Sequence, residues 1–157
     1  MMVFFWTANQ VRNHEVRACD TVSRIVSQIR ELNLKWVAEK GYTPFEIGIG
    51  LSSGTSLVGN VGSDSDMKSY TIYSPSHDMA VSFAGLCADW DAHCIIDKQV
   101  FMRVRYHFVT RPLTFHHKVY SRRDVNNPIN DVHTFELGQK IETEDSEWMY
   151  TMQNQIN

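Results

Sequence analysis

Cysteine, charge of one sign and long apolar runs are all scarce here, and each shortage removes a class of protein. The three cysteines, Cys19, Cys87 and Cys94, show no Cys-x-x-Cys spacing. They supply neither a disulfide framework nor a zinc ligand set, and so sparse and odd a set suits a reducing, cytoplasmic compartment. Their expected role is that of buried structural thiols. The formal net charge of −3 argues against non-specific nucleic-acid binding, which needs a basic surface to displace counterions from phosphate. A small phosphorylated ligand needs only a local basic pocket and is not excluded. No apolar stretch approaches the roughly 18 to 20 residues that span a bilayer. The opening run Met1-Met2-Val3-Phe4-Phe5-Trp6 is too short for a signal sequence and lacks a basic flank. It reads as a buried strand, and a domain that begins inside a core strand is expected to have lost what preceded it.

What the sequence does have is globular. Hydrophobic residues at 43% and charged residues at 21% of 157 fit one domain able to bury roughly two-thirds of its unfolded surface. No internal repeat, linker or second domain is visible. Residues 14–39 carry a helical period, with Val22, Ile25, Val26, Ile29 and Leu32 on one face and Trp36 continuing it. Gly41 is the expected stop. Residues 45–51 then alternate with period two, with small residues where a neighbouring backbone can approach closely. A turn at 52–56 leads to a second short strand at 57–62, and the two runs suggest a hairpin.

After a polar loop at 63–68 and a strand at 70–73, Ser76 is the expected N-cap of a helix reaching about Ala88. Its buried side carries Ala80, Phe83, Ala84 and Cys87. Asp97 is expected to cap a short helix through Val100, Phe101 and Val104. Strands are expected at 107–115 and 132–137, separated by a basic loop. An acidic tail with Glu142, Glu144, Asp145 and Glu147 closes the chain.

The stretch IGIGLSSGTSLVGNVGSDSDMKSYTIYSPSHDMAVSFAGL, residues 47–86, closely resembles the core of class III adenylate/guanylate cyclase domains. Gly54, Gly59 and Gly62 stand at that family's spacing with Asn60 between the latter two, and Tyr70-Thr71 falls where the family has its Tyr-Thr strand. The upstream FFWTANQVRNHEVRAC and the downstream Phe108-to-Leu113 and Thr134-to-Leu137 stretches are similar to the family's strand-turn-helix and closing strands. The resemblance implies an α+β nucleotide cyclase fold, a ferredoxin-like mixed sheet with packed helices, truncated at its N-terminus. It covers a partial cyclase homology domain at 1–139, followed by the tail at 140–157.

Cyclases of this family join the ribose 3′-oxygen to the α-phosphate of ATP or GTP with two divalent ions, Mg²⁺ or Mn²⁺, held by two aspartates. The resemblance places those aspartates ahead of this chain's first strand, so no metal site is assigned to it. On the helix after the Tyr-Thr strand, the family's transition-state asparagine falls at Asp78 and its arginine at Ser82. A carboxylate beside phosphate repels it, and serine lacks the bidentate guanidinium. The glycine and the acidic or amide residue of the preceding turn are Ser74 and Pro75. Thr71 occupies a position that helps select the purine, and Lys118, in the loop with His116 and His117 and before Arg122-Arg123, best matches the phosphate-binding lysine. A solvated basic hairpin explains that loop equally well. The two histidines do not make a chelate, because adjacent strand residues face opposite ways.

Cyclase sites of this family form between two domains, each lending half. The first expectation is therefore a dimerisation or regulatory module of a cyclic-nucleotide signalling protein, a homo- or heterodimer partner inactive by itself. The alternatives are a portion of a cyclase active only with the missing segment and a complete partner, and a nucleotide-sensing domain using Thr71 and Lys118. An RNA-binding ferredoxin-like module fits poorly, since the chain is acidic and lacks an aromatic RNP-type strand.

Overall fold

The computed structural model describes residue 3, residues 12–62, 69–113 and 133–141, and the backbone of residues 119–121 and 124–129. The expectations for the opening strand apart from Val3, the loop at 63–68, His116, His117, Lys118, Arg122, Arg123 and the tail from 142 lie outside the described residues.

Helix α1 (His14–Lys40) ends as the sequence indicates. Gly41 takes a left-handed φ of 64° and its N–H returns to the Val37 carbonyl at 3.1 Å. Only the first half of the apolar stripe is covered: Ala18, Cys19 and Val22 are buried, whereas Leu32 and Trp36 are about 40% exposed at 41% and 40%. Toward its C-terminus the stripe is thus only partly covered. The chain after Gly41 doubles back. Asn33 donates from Nδ2 to the Phe45 carbonyl and accepts the Phe45 N–H at Oδ1, both at 2.8 Å.

That clamp is one reason the strand expected at 45–51 shrinks to β1 (Ile49–Leu51). β1 runs parallel to β4 (Cys94–Asp97), with Ile49 opposite Cys94. β4 pairs antiparallel with β8 (Thr134–Lys140), and β8 with β5 (Phe108–Leu113), giving the mixed sheet order β1-β4-β8-β5. Side chains of β4 alternate between two cores. Cys94 and Ile96 meet Cys19 and Val22 of α1 and Val100 and Val104 of α3 (Lys98–Val104), while Ile95 meets Phe83 and Leu86 of α2 (Pro75–Leu86) and its C-cap residue Cys87. A strand buried on both faces reads as an unbroken apolar run, as Cys94-Ile95-Ile96 does.

The hairpin expected between residues 45–51 and 57–62 does not form. β2 (Leu57–Val61) pairs with β3 (Ser69–Tyr73) instead, in the register Leu57 to Tyr73 through Val61 to Ser69. The reason lies in the intervening turn. Ser52 and Ser53 bond to Asp97 rather than folding β2 back on β1, so the β2–β3 ribbon leaves the main sheet. A second correction concerns α2. Its N-cap is Ser74, not Ser76: the Ser74 hydroxyl accepts the Ser76 N–H at 3.2 Å, and Pro75 takes the first helical position, where its missing N–H costs nothing. Asp97 caps α3 as expected, with the Val100 N–H at 2.7 Å. The basic loop contains a further two-stranded pair, β6 (Val119–Ser121) and β7 (Asp124–Ile129).

Candidate functional site

α2 lies directly on β1. A Cβ placed on Gly48 would stand 2.5 Å from the Ala84 carbonyl oxygen and 2.8 Å from the Cys87 Cβ, and one on Gly50 would collide with the Ala80 carbonyl. The alternating small residues of the sequence thus mark a helix backbone seated on a strand. With Ala80 and Ala84 facing β1, Asp78 and Ser82 fall one turn apart on another flank of α2. Asp78 is largely covered, its side chain 16% exposed, and its Oδ1 lies 3.3 Å from His77 Nδ1. The Ser82 hydroxyl donates to the Asp78 backbone carbonyl at 3.0 Å, so it is occupied within its own helix. The pair presents a carboxylate and a short hydroxyl, with neither an amide donor nor a guanidinium.

Thr71 sits mid-ribbon on β3, opposite Gly59, and its hydroxyl donates to the Ser69 carbonyl at 3.3 Å. It is exposed. Along the same face Leu57, Val61 and Tyr73 are 74%, 63% and 50% exposed. The structure therefore brings Asp78 and Ser82 together and leaves Thr71 on a separate element, while Lys118 lies outside the described residues.

A polar knot ties the loop after β1 to α1 and to the start of α3. Asp97, 4% exposed, accepts the Ser52 hydroxyl at 2.6 Å and the Ser53 N–H at 3.1 Å, while the Ser53 hydroxyl reaches Glu15 at 3.5 Å and Glu15 lies 3.2 Å from His14. A groove of about 960 Å³ opens beside it, with Leu51, Ala80 and Val100 among its apolar walls and His77, Lys98 and Arg103 among its polar ones.

No family model matches this sequence, and no curated protein does. Solved structures match it. The adenylyl cyclase CyaB from P. aeruginosa superposes with a TM-score of 0.61 at 18% identity, over 85% of this chain and 64% of that one. The guanylyl cyclase Cya2 superposes with a TM-score of 0.60 at 19% identity, over 88% of this chain and 65% of that one. The chain has the nucleotide cyclase fold. It spans just under two-thirds of the length of these two cyclase-fold structures.

Against the cyclase fold, the described residues hold no group of three His, Cys, Asp or Glu side chains placed to bind a metal. Among the described residues no helix is long and apolar enough to cross a membrane. All three cysteines are free and buried. Burial pushes the Cys19 thiol up to about 12, with Asp20 and Glu15 adding to it, and raises Cys87 and Cys94 as well. Held as thiols, they are poor nucleophiles and metal ligands. Sequence reasoning found the cap role of Asp97 but missed its second carboxylate oxygen. A Ser-Ser pair at a strand end carries no partner information; only the tertiary fold brings residues 52 and 97 together.

Proposed function

We propose that this chain is a cyclase-fold module that associates with a second cyclase domain, as a homo- or heterodimer, and does not by itself convert ATP or GTP to cyclic nucleotide. The observation that carries this reading is the Asp78–Ser82 pair. Where the resemblance calls for an asparagine and an arginine, a covered carboxylate and a hydroxyl bonded to its own helix stand on α2. A carboxylate opposes the triphosphate, and serine offers no planar cation to the phosphate oxygens. Losing one such preorganised contact costs about 10²- to 10³-fold in rate.

Support for association comes from the ribbon. Leu57, Val61 and Tyr73 form an exposed apolar face around Thr71, the kind of surface that a protein interface covers. In this reading the module regulates or completes a cyclic-nucleotide signalling protein. The test is a Mn²⁺-supported cyclase assay on the purified chain with ATP and with GTP. Background turnover is expected; measurable cyclic product would defeat the proposal.

A second reading draws on the extent of the match, 64% and 65% of the two solved cyclase structures. Here the chain works as a portion of a longer cyclase, active beside a complete partner. Cyclic product appearing only when a complete cyclase domain is added would favour it.

A further inference from the structure

The β2–β3 ribbon pairs with no other described strand, and an isolated two-stranded ribbon is marginally stable in water. Its orientation therefore depends on how its feet are held. At the leading foot, Ser52 Oγ and the Ser53 N–H both donate to Asp97 Oδ2, at 2.6 and 3.1 Å. At the trailing foot, Ser74 donates from Oγ to the Thr55 carbonyl at 3.1 Å while accepting the Ser76 N–H. Both feet thus tie to the same short loop, residues 52–56, and that loop is fastened to the body of the fold chiefly through Asp97, with a longer contact of 3.5 Å from the Ser53 hydroxyl to Glu15 of α1. The other carboxylate oxygen, Oδ1, accepts the Val100 N–H. Burying a carboxylate is costly unless donors replace its water, and here three donors from two segments do so.

We infer that Asp97 is a positioning residue for the β2–β3 ribbon. Its Oδ1 belongs to α3 and its Oδ2 to the ribbon, so one side chain sets the angle at which Thr71 and the Leu57–Tyr73 face are presented relative to α2. The link to partner binding rests on the function proposed above; the positioning itself does not.

The two carboxylate oxygens allow the roles to be separated. Ser52→Ala in the whole chain removes a donor from Oδ2 and leaves the α3 cap intact. Amide exchange at residues 57–61 and 69–73 is expected to quicken about tenfold, the order set by one charge-assisted hydrogen bond. Exchange in α3 and β4 should stay within about twofold, and Ser52→Thr, which keeps the hydroxyl, should restore the ribbon. Sedimentation of the same variants reads self-association. Unchanged ribbon exchange, or a rise shared equally by α3 and β4, overturns the positioning role. A selective rise in ribbon exchange in a chain that is monomeric with and without the substitution sustains the positioning role and removes the homodimer form of the association reading instead.

Discussion

Gly50 of β1 lies against the carbonyl of Ala80 of α2 with no room between them for even a methyl group. This contact fixes the height and rotation of the helix that carries Asp78 and Ser82. Gly50→Ala should destabilise the chain by about 1–3 kcal/mol through overpacking. Gly59, with open space around its Cα, is the control, and Gly59→Ala should stay within about 0.5 kcal/mol. Urea unfolding measures both; equal effects at the two positions would show that α2 yields rather than resists.

The Asn33–Phe45 clamp makes two hydrogen bonds in an exposed setting. Asn33→Ala should therefore cost only about 1 kcal/mol, while amide exchange at Phe45 rises sharply. A loss of stability with no change at Phe45 would place the effect elsewhere in α1.

The buried thiols give the fold a sensitivity to alkali. The Cys19 pKa in the folded chain is raised to about 12 from an ordinary value of 9.0. Above that ordinary value the unfolded chain ionises and the folded chain does not, so the contribution is whole below pH 9 and is lost as pH climbs toward 12. The limiting slope for one such thiol is about 1.4 kcal/mol per pH unit. Cys19→Ala should flatten this part of the stability profile measured by denaturation between pH 8 and 10.5. In the native chain at pH 8 an aromatic disulfide reagent should label none of the three thiols, and in denaturant all of them.

The chemistry assigned to α2 is testable by restoration. Asp78→Asn combined with Ser82→Arg, assayed with Mn²⁺ beside a cyclase domain whose own asparagine and arginine have been substituted away, should raise cyclic product about 10²-fold or more over the unaltered chain. Equal product from both chains would mean that these positions do not face the reacting phosphate.

Association through the ribbon predicts a different phenotype. Leu57→Asp puts a charge on the most exposed apolar residue of the face and should weaken self-association at least tenfold by sedimentation, leaving thermal stability nearly unchanged. An unaltered sedimentation profile would move the interface off the ribbon.

Much of this architecture is local, and the sequence determined it alone. The period of α1, the stop at Gly41 and the cap at Asp97 each follow from residue type and spacing, because short-range sterics and hydrogen bonding decide them. The small residues at Gly48 and Gly50 even announced a close neighbour. Which neighbour it was, the backbone of α2, only the tertiary structure decided. The same holds for the pairing of β2 with β3 rather than β1, and for the meeting of Ser52 and Ser53 with Asp97. Residues 52 and 97 stand 45 positions apart in the chain. A hydroxyl at a strand end satisfies itself equally well with water, a carbonyl or a carboxylate, so no local preference selects among them. Packing does, by carrying β4 to the side of β1 and setting the Oδ2 of one buried carboxylate within reach of those donors.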